Sequence, residues 1–362
     1  DKVESSVRKF NQWITTAGLD AKDYQEDGVR KMLNLELDTK PFLGCRGGFL
    51  TDEMGLGKTI QMLGLIISNF QERTLIVVPR ALIDQWETAI IKFMGHRPLV
   101  FHGSRKLEKD LHTSPVVIST YGTAGLRYAK GGKELVSPLA GLKWGRIIYD
   151  EAHHMRNSET GAFKGAQKMN ANIRWFVTGT PIQNSQADVF SLLKLFGIPR
   201  DVWGTGEGLR SVSEHFRIGR TKLEVGIDLE PVIMHDMLVD WEMDEELNIA
   251  SDLHSTLSFS EVTASNVDAL IAALTHHPLP ALLRMRQSCI HTGMLSEAVS
   301  KLIDAGIIKH EDVERGITGA SKMNAVLKTI AERKDNGNNK IIFSYFHHEI
   351  DFLEKNITDM GL

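Results

Sequence analysis

Between residues 45 and 200 the chain alternates short, continuous apolar runs with longer stretches whose apolar residues recur at helical spacing. The runs are Gly48-Phe49-Leu50, LIVVP at 75–79, PLVFH at 98–102, PVVIST at 115–120, RIIYD at 146–150 and RWFVTGT at 174–180. They are too short for helices, rich in β-branched and aromatic residues, and apolar without alternation, which is the pattern of strands buried on both faces. The stretches between them, such as TIQMLGLIISNFQE at 59–72 and ALIDQWETAIIKFM at 81–94, read as helices. Strand followed by helix, repeated, predicts an α/β fold built on a doubly wound parallel sheet. Such sheets bind ligands at the carboxyl ends of their strands.

The pattern changes after residue 200. EMDEELNIASDLHSTLS at 242–258 and VDALIAALTHHPLPALLRMRQSC at 267–289 are helix-rich, with Pro278 and Pro280 interrupting the second. After Ser321 a helical stretch, KMNAVLKTIAER, leads through an Asn/Gly turn to KIIFSYF at 340–346, which reads as a buried strand opening a second α/β lobe. The expected organisation is therefore 1–200 for an α/β lobe, 201–320 for a helical insertion, and 321–362 for the start of a further lobe.

Composition narrows the function mainly by exclusion. Lys plus Arg number 42 against 46 Asp plus Glu, a net charge of −4, so any polyanion site is a local patch. Cys45 and Cys289 are the only cysteines and have no metal-ligand spacing, which excludes a zinc module and a disulfide framework and favours a reducing, intracellular setting. No apolar stretch approaches the roughly 18 residues of a membrane span. The first residue is Asp1 rather than Met, which suggests a processed or excised segment.

Two strings carry candidate chemistry. DEMGLGKT at 52–59 lies between a predicted strand and helix. The pattern GxxxxGK[ST] would need Gly at position 52, where this chain has Asp, yet the physical essentials remain. Gly55 and Gly57 let backbone N–H groups converge on phosphate at a helix N-terminus, Lys58 can reach the β- and γ-phosphates, and the Thr59 hydroxyl can ligate Mg²⁺. DEAHHMRN at 150–157 follows the apolar run Ile147-Ile148-Tyr149. Asp150 is suited to hold Mg²⁺, and Glu151 to orient and deprotonate an attacking water. An isolated GKT in a turn, or an acidic pair capping a helix, would be bland alternatives; their joint occurrence on one sheet points to an ATPase. His153-His154 lack a third partner for a metal, and Cys289 reads as a buried thiol.

Taken in order, these residues resemble the SWI/SNF-type ATPases of helicase superfamily 2. DYQEDGV at 23–29 is similar to the family's glutamine motif, with Gln25 as the adenine contact. GGFLTDEMGLGKT resembles motif I, in which Asp-Glu before the glycines is usual, so that Asp52, Glu53, Met54, Gly55, Leu56, Gly57, Lys58 and Thr59 would surround the nucleotide. LIVVPRALIDQW resembles motif Ia, STYG at 119–122 motif Ib, DEAHHMRN motif II, VTGTPIQNSQADVFSLL at 177–193 motif III, LLRMRQSCIHT at 282–292 the family's Leu-Arg-x-Arg-Gln-x-Cys-x-His stretch, and KIIFSYFHHEIDFLEK motif IV. Trp144 to Ile148 before motif II and Met155-Arg156-Asn157 after it most resemble the DNA-repair and Lodestar-like subgroup.

The resemblance implies an ATP- and Mg²⁺-dependent translocase on double-stranded DNA that displaces or remodels protein–DNA complexes, with nucleosomes or another DNA-bound protein among its partners and a nuclear location in a eukaryote. Lys58, Asp150 and Glu151 would be catalytic, with Thr59 and Asp150 at the metal. Pro79, Arg80, Thr120, Tyr121, Arg156 and Asn157 would contact DNA phosphates without reading sequence. His153, Thr178, Thr180 and Gln183 would couple the nucleotide site to motif III. Two departures stand out: Gly219 replaces the first arginine of the family's Arg-Arg-Thr-Lys string, and no motif V or VI follows motif IV. Residues 1–362 alone would then hydrolyse ATP weakly. The competing readings are a DEAH-type strand-separating helicase and a nucleotide-gated DNA-binding module.

Overall fold

A computed structural model describes residues 2–20, 22–106, 108–179, 186–255 and 278–362, with the side chains of 186–188 and 278–281 excepted. The chain forms two compact units, Asp1–Glu230 and Pro231–Leu362.

The first unit is built on seven parallel strands in the order β3-β4-β2-β7-β8-β1-β9. The strands are β1 (Gly47–Leu50), β2 (Thr74–Val78), β3 (Leu99–Val100), β4 (Val116–Thr120), β7 (Lys143–Asp150), β8 (Asn170–Val177) and β9 (Arg217–Ile218). Between β4 and β7 a small antiparallel pair joins β5 (Arg127–Tyr128) to β6 (Glu134–Leu135). The continuous apolar runs have a direct structural cause. In β2, Ile76 and Val78 pack with α1 (Lys2–Thr16), α2 (Asp23–Leu37), α3 (Lys58–Ser68) and α4 (Ile83–Met94), whereas Leu75 and Val77 belong to the core on the opposite face. β7 repeats the division, Ile148 to one core and Ile147 and Tyr149 to the other. Successive side chains point to opposite faces, so a strand covered on both sides must be apolar throughout. The second face is covered by α6 (Gly161–Lys168), α7 (Gln186–Phe196) and α9 (Gly206–Phe216).

Between the sheet and the first helical layer lies a buried ion pair. Arg146 donates from Nε and Nη2 to Glu36, whose carboxylate also accepts from Trp175 Nε1 and Asn69 Nδ2. Strand β9, two residues long, extends the sheet of the first unit into sequence expected to belong to the helical insertion. A two-residue strand has no periodicity to detect; its place is set by pairing with Phe49 and Leu50.

In the second unit, helix Asp244–Ser255 packs with Pro278–Ser288 and Val299–Asp304 around Ile249, Leu253, Met285, Leu295 and Leu302. The prolines expected to interrupt the 267–289 stretch lie at the start of a helix, where proline is tolerated. Helices Ser321–Glu332 and His347–Asp359 form on either side of KIIFSYF as their periodicity predicts. KIIFSYF itself is not a strand. It runs irregularly, with Ile341 80% and Phe343 94% exposed. A strand needs a partner for its backbone hydrogen bonds, and among the described residues no strand pairs with it.

Candidate functional site

The strands carrying the motifs are neighbours in space, and their register aligns the motif ends. Leu50 of β1 pairs with Val177 of β8, which pairs with Asp150 of β7. Motif I, motif III and motif II thus leave the same edge of three adjacent strands.

After β1 the backbone turns through Gly55 and Gly57, both left-handed at φ of 93° and 75°. Helix α3 starts at Lys58 with no side chain capping its N-terminus, so its first-turn N–H groups are presented to an anion. A Cβ at Gly57 would lie 2.4 Å from Gln25 Nε2 and would displace that side-chain amide. Gln25 is buried and donates to the Leu56 carbonyl at 3.2 Å, bracing the loop from α2. Lys58 Nζ donates to the Asp52 carbonyl at 2.9 Å. Desolvation holds this ammonium below the ordinary lysine range against the opposing pull of Glu151, Asp150, Asp52 and Glu53, an arrangement that a bound polyphosphate would relieve.

Asp52, fully buried, is the centre of a network that the sequence did not reveal. Arg220, from the segment following β9, donates to it from Nε at 2.9 Å, Nη2 at 2.6 Å and its backbone N at 3.0 Å. Gln61 of α3 donates to the same carboxylate at 2.8 Å and accepts from Arg220 at 2.9 Å. Arg220 also donates to the Tyr24 carbonyl beside Gln25. Next along the chain, the Lys222 backbone donates to Glu53 at 2.7 Å. Gly219, where the family resemblance expects arginine, has no room for one: a Cβ there would lie 2.3 Å from Thr51 Oγ1 and 2.9 Å from the guanidinium of Arg217, which itself bonds Thr51.

At the end of β7 the Asp150 carboxylate accepts from Trp86 Nε1 at 2.7 Å and from the Glu151 amide at 3.0 Å. Its carbonyl accepts the Tyr121 hydroxyl at 2.6 Å. Burial pushes the Asp150 carboxyl above its usual range, while the Trp86 hydrogen bond acts in the opposite direction. Glu151 adopts φ 52°, ψ 50°, a left-handed conformation uncommon outside glycine and found enriched at functional sites. His153 Nδ1 lies 3.2 Å from Glu151 Oε2 and 3.3 Å from Thr178 Oγ1. Because a carboxylate only accepts, the proton belongs on Nδ1. Desolvation lowers the pKa of His153, which favours the neutral ring. Motif II and motif III are therefore in contact through His153 and Thr178. Thr180 and Gln183 lie outside the described residues.

The expected DNA-contact residues divide by exposure. Arg80 and Asn157 are exposed, and Pro79 and Arg156 half-exposed. Thr120 and Tyr121 are buried. The Thr120 hydroxyl caps α5 (Tyr121–Ala124) by accepting from the Thr123 amide, and the Tyr121 hydroxyl is held by Asp150. These two therefore face inward.

Among the described residues no group of three or more His, Cys, Asp or Glu side chains could hold a metal ion, and no helix is long and apolar enough to cross a membrane. Asp150 ends β7 and Thr59 lies in the first turn of α3, a carboxylate and a hydroxyl of the kind that Mg²⁺ takes. That ion typically takes one or two protein ligands and completes its shell with phosphate and water. Among the described residues each Asp150 carboxylate oxygen accepts a single protein hydrogen bond, leaving a lone pair for a metal or its water.

Comparison with known proteins follows the same outline. The SNF2-related domain profile matches residues 24–207. The chain is 27% identical over 340 residues to a probable global transactivator of Orgyia pseudotsugata multicapsid polyhedrosis virus, covering 88% of this chain and 64% of that protein. It is 29% identical over 306 residues to the DNA repair protein rad8 of Schizosaccharomyces pombe, covering 69% of this chain and 27% of that one. A solved Sulfolobus solfataricus SWI2/SNF2 ATPase core in complex with dsDNA is 23% identical at a TM-score of 0.47, covering 94% of this chain and 70% of that one. The chain thus spans less than two thirds of the length of either of these two sequence relatives.

Proposed function

The chain belongs to the SNF2-related domain family, and from that premise we propose that it is the ATP-hydrolysing part of a motor that moves along double-stranded DNA. The observation that carries this reading is the meeting of Lys58, Asp150, Glu151 and Thr178 at the carboxyl ends of adjacent strands. Nucleotide phosphates bind the N–H groups at the start of α3, with Lys58 neutralising the β- and γ-phosphates. Gln25, one residue from the bond between Tyr24 and Arg220, selects adenine. Thr59 and Asp150 hold Mg²⁺, which supplies charge neutralisation on the phosphates when bound. Glu151 takes the proton of the attacking water.

Arg80, Arg156 and Asn157, at the turns that follow Pro79 and end motif II, contact phosphates of the duplex without reading bases. The motor acts on protein–DNA complexes, nucleosomes or other DNA-bound proteins, within the nucleus if its source is eukaryotic. The similarity to the DNA repair protein rad8 supports this. The test is ATP turnover with and without duplex DNA, using the protein as naturally encoded. Wild type should be stimulated by duplex of any sequence. Lys58→Ala should lose turnover while keeping its fold, and hydrolysis by that variant at near wild-type rate would refute the assignment.

A further inference from the structure

We infer that Trp86 and Tyr121 are positioning residues that transmit duplex occupancy of the motif Ia and Ib turns to Asp150. The inference rests on the motor reading above and adds to it the route by which DNA reaches the hydrolytic site. Two independent turns converge on one residue. After β2 the chain passes through Pro79 and the 3₁₀ turn Arg80–Leu82 directly into α4, whose first helical turn carries Trp86. After β4 it passes from Thr120 to Tyr121. Each turn bears an expected phosphate contact, and each sends one buried polar group to Asp150: the indole N–H to the carboxylate at 2.7 Å, the phenol O–H to the carbonyl at 2.6 Å.

The targets make these bonds more than packing. Three of the other indoles, Trp13, Trp144 and Trp203, donate to backbone carbonyls, and Trp175 to the structural Glu36. Trp86 alone among these donates to a carboxylate at the nucleotide site. Tyr121 has a second line of contact: its ring lies 5.2 Å from His154, which stacks 4.8 Å from His153, whose Nδ1 reaches Thr178. A shift of either turn on binding a phosphate backbone cannot leave Asp150 untouched, because both its carboxylate and its peptide are tethered. Close-packed interiors pass such displacements on.

The experiment measures coupling as well as rate. Trp86→Phe and Tyr121→Phe each remove one hydrogen-bonding group and keep a ring. With the protein as naturally encoded, the affinity of a fluorescent, non-hydrolysable ATP analogue with Mg²⁺ is measured with and without saturating duplex, alongside duplex affinity by anisotropy and maximal duplex-stimulated turnover. Binding linkage is reciprocal, so the wild-type ratio of analogue affinities defines the coupling. Trp86→Phe should reduce the duplex-dependent stimulation by about tenfold, the scale of one hydrogen bond to a charged group, and Tyr121→Phe several-fold. Both should bring the affinity ratio towards one with duplex affinity retained, and the double variant should lose less than the product of the singles because the two bonds share a target. An unchanged ratio and unchanged stimulation in Tyr121→Phe, the smaller change, overturns the inference. So does a loss of duplex affinity that matches the loss of stimulation, since the residues would then be DNA contacts. Absence of duplex stimulation in wild type removes the motor reading itself, and the inference with it.

Discussion

Replacing Arg220 probes the network beneath the phosphate loop. Asp52 is fully buried and the Arg220 side chain is 13% exposed, so Arg220→Met leaves a carboxylate without its charged partner in a water-poor site. Gln61 and the residue 220 amide still donate to it, but the two guanidinium bonds at 2.9 and 2.6 Å disappear, together with those to Gln61 and the Tyr24 carbonyl. Removing one partner of a buried pair costs about 3–5 kcal/mol, and screening is too weak here to reduce that to the surface value. The loss should fall on the first unit, which contains Trp13, Trp86, Trp144, Trp175 and Trp203, so denaturant unfolding followed by tryptophan fluorescence reports it. Asp52→Asn combined with Arg220→Met removes both charges and should recover part of the loss, giving a coupling of about 2 kcal/mol or more in the double-mutant cycle. Nucleotide affinity should fall alongside, because Asp52 begins the loop that Lys58 closes. Coupling below about 0.5 kcal/mol would mean that the pair, despite its geometry, does not hold the loop.

Two further outcomes test the chemistry and the DNA face. Glu151→Gln preserves shape and removes the base, so Mg²⁺-dependent nucleotide binding should persist while turnover falls at least about 10²-fold; simultaneous loss of binding would make Glu151 structural. Arg156→Ala should weaken all duplexes alike and lower the slope of log affinity against log salt by about one, and a marked sequence preference or an unaltered slope would contradict phosphate tracking.

The parts of this molecule that were legible in sequence share a physical property: they are local. Ile147-Ile148-Tyr149 reads as a buried strand because each residue must satisfy one of two cores, and Gly55 and Gly57 mark the turn between β1 and α3 because only glycine takes those backbone angles without strain. What sequence hid depends on distant pairing. Arg220 meets Asp52 across 168 residues and Trp86 meets Asp150 across 64, and neither arginine nor tryptophan carries a mark of its partner in its immediate neighbours. Tyr121 looked like a surface contact because the STYG string sits at a strand end; its hydroxyl turns inward instead. KIIFSYF failed in the opposite sense, since its composition is that of a strand and no described strand pairs with it.

That unpaired ribbon has a consequence for handling the protein. Ile341, Ile342, Phe343 and Tyr345 are exposed in one uncharged, proline-free stretch of high β propensity, the composition that stacks chain upon chain in cross-β assemblies. Lys340 alone, at its leading edge, carries the charge that discourages such stacking. Wherever this stretch is left open, at high concentration or while the chain is still emerging from the ribosome, it is the place from which precipitation begins. Solubility of the polypeptide is then governed by a few residues of the second unit.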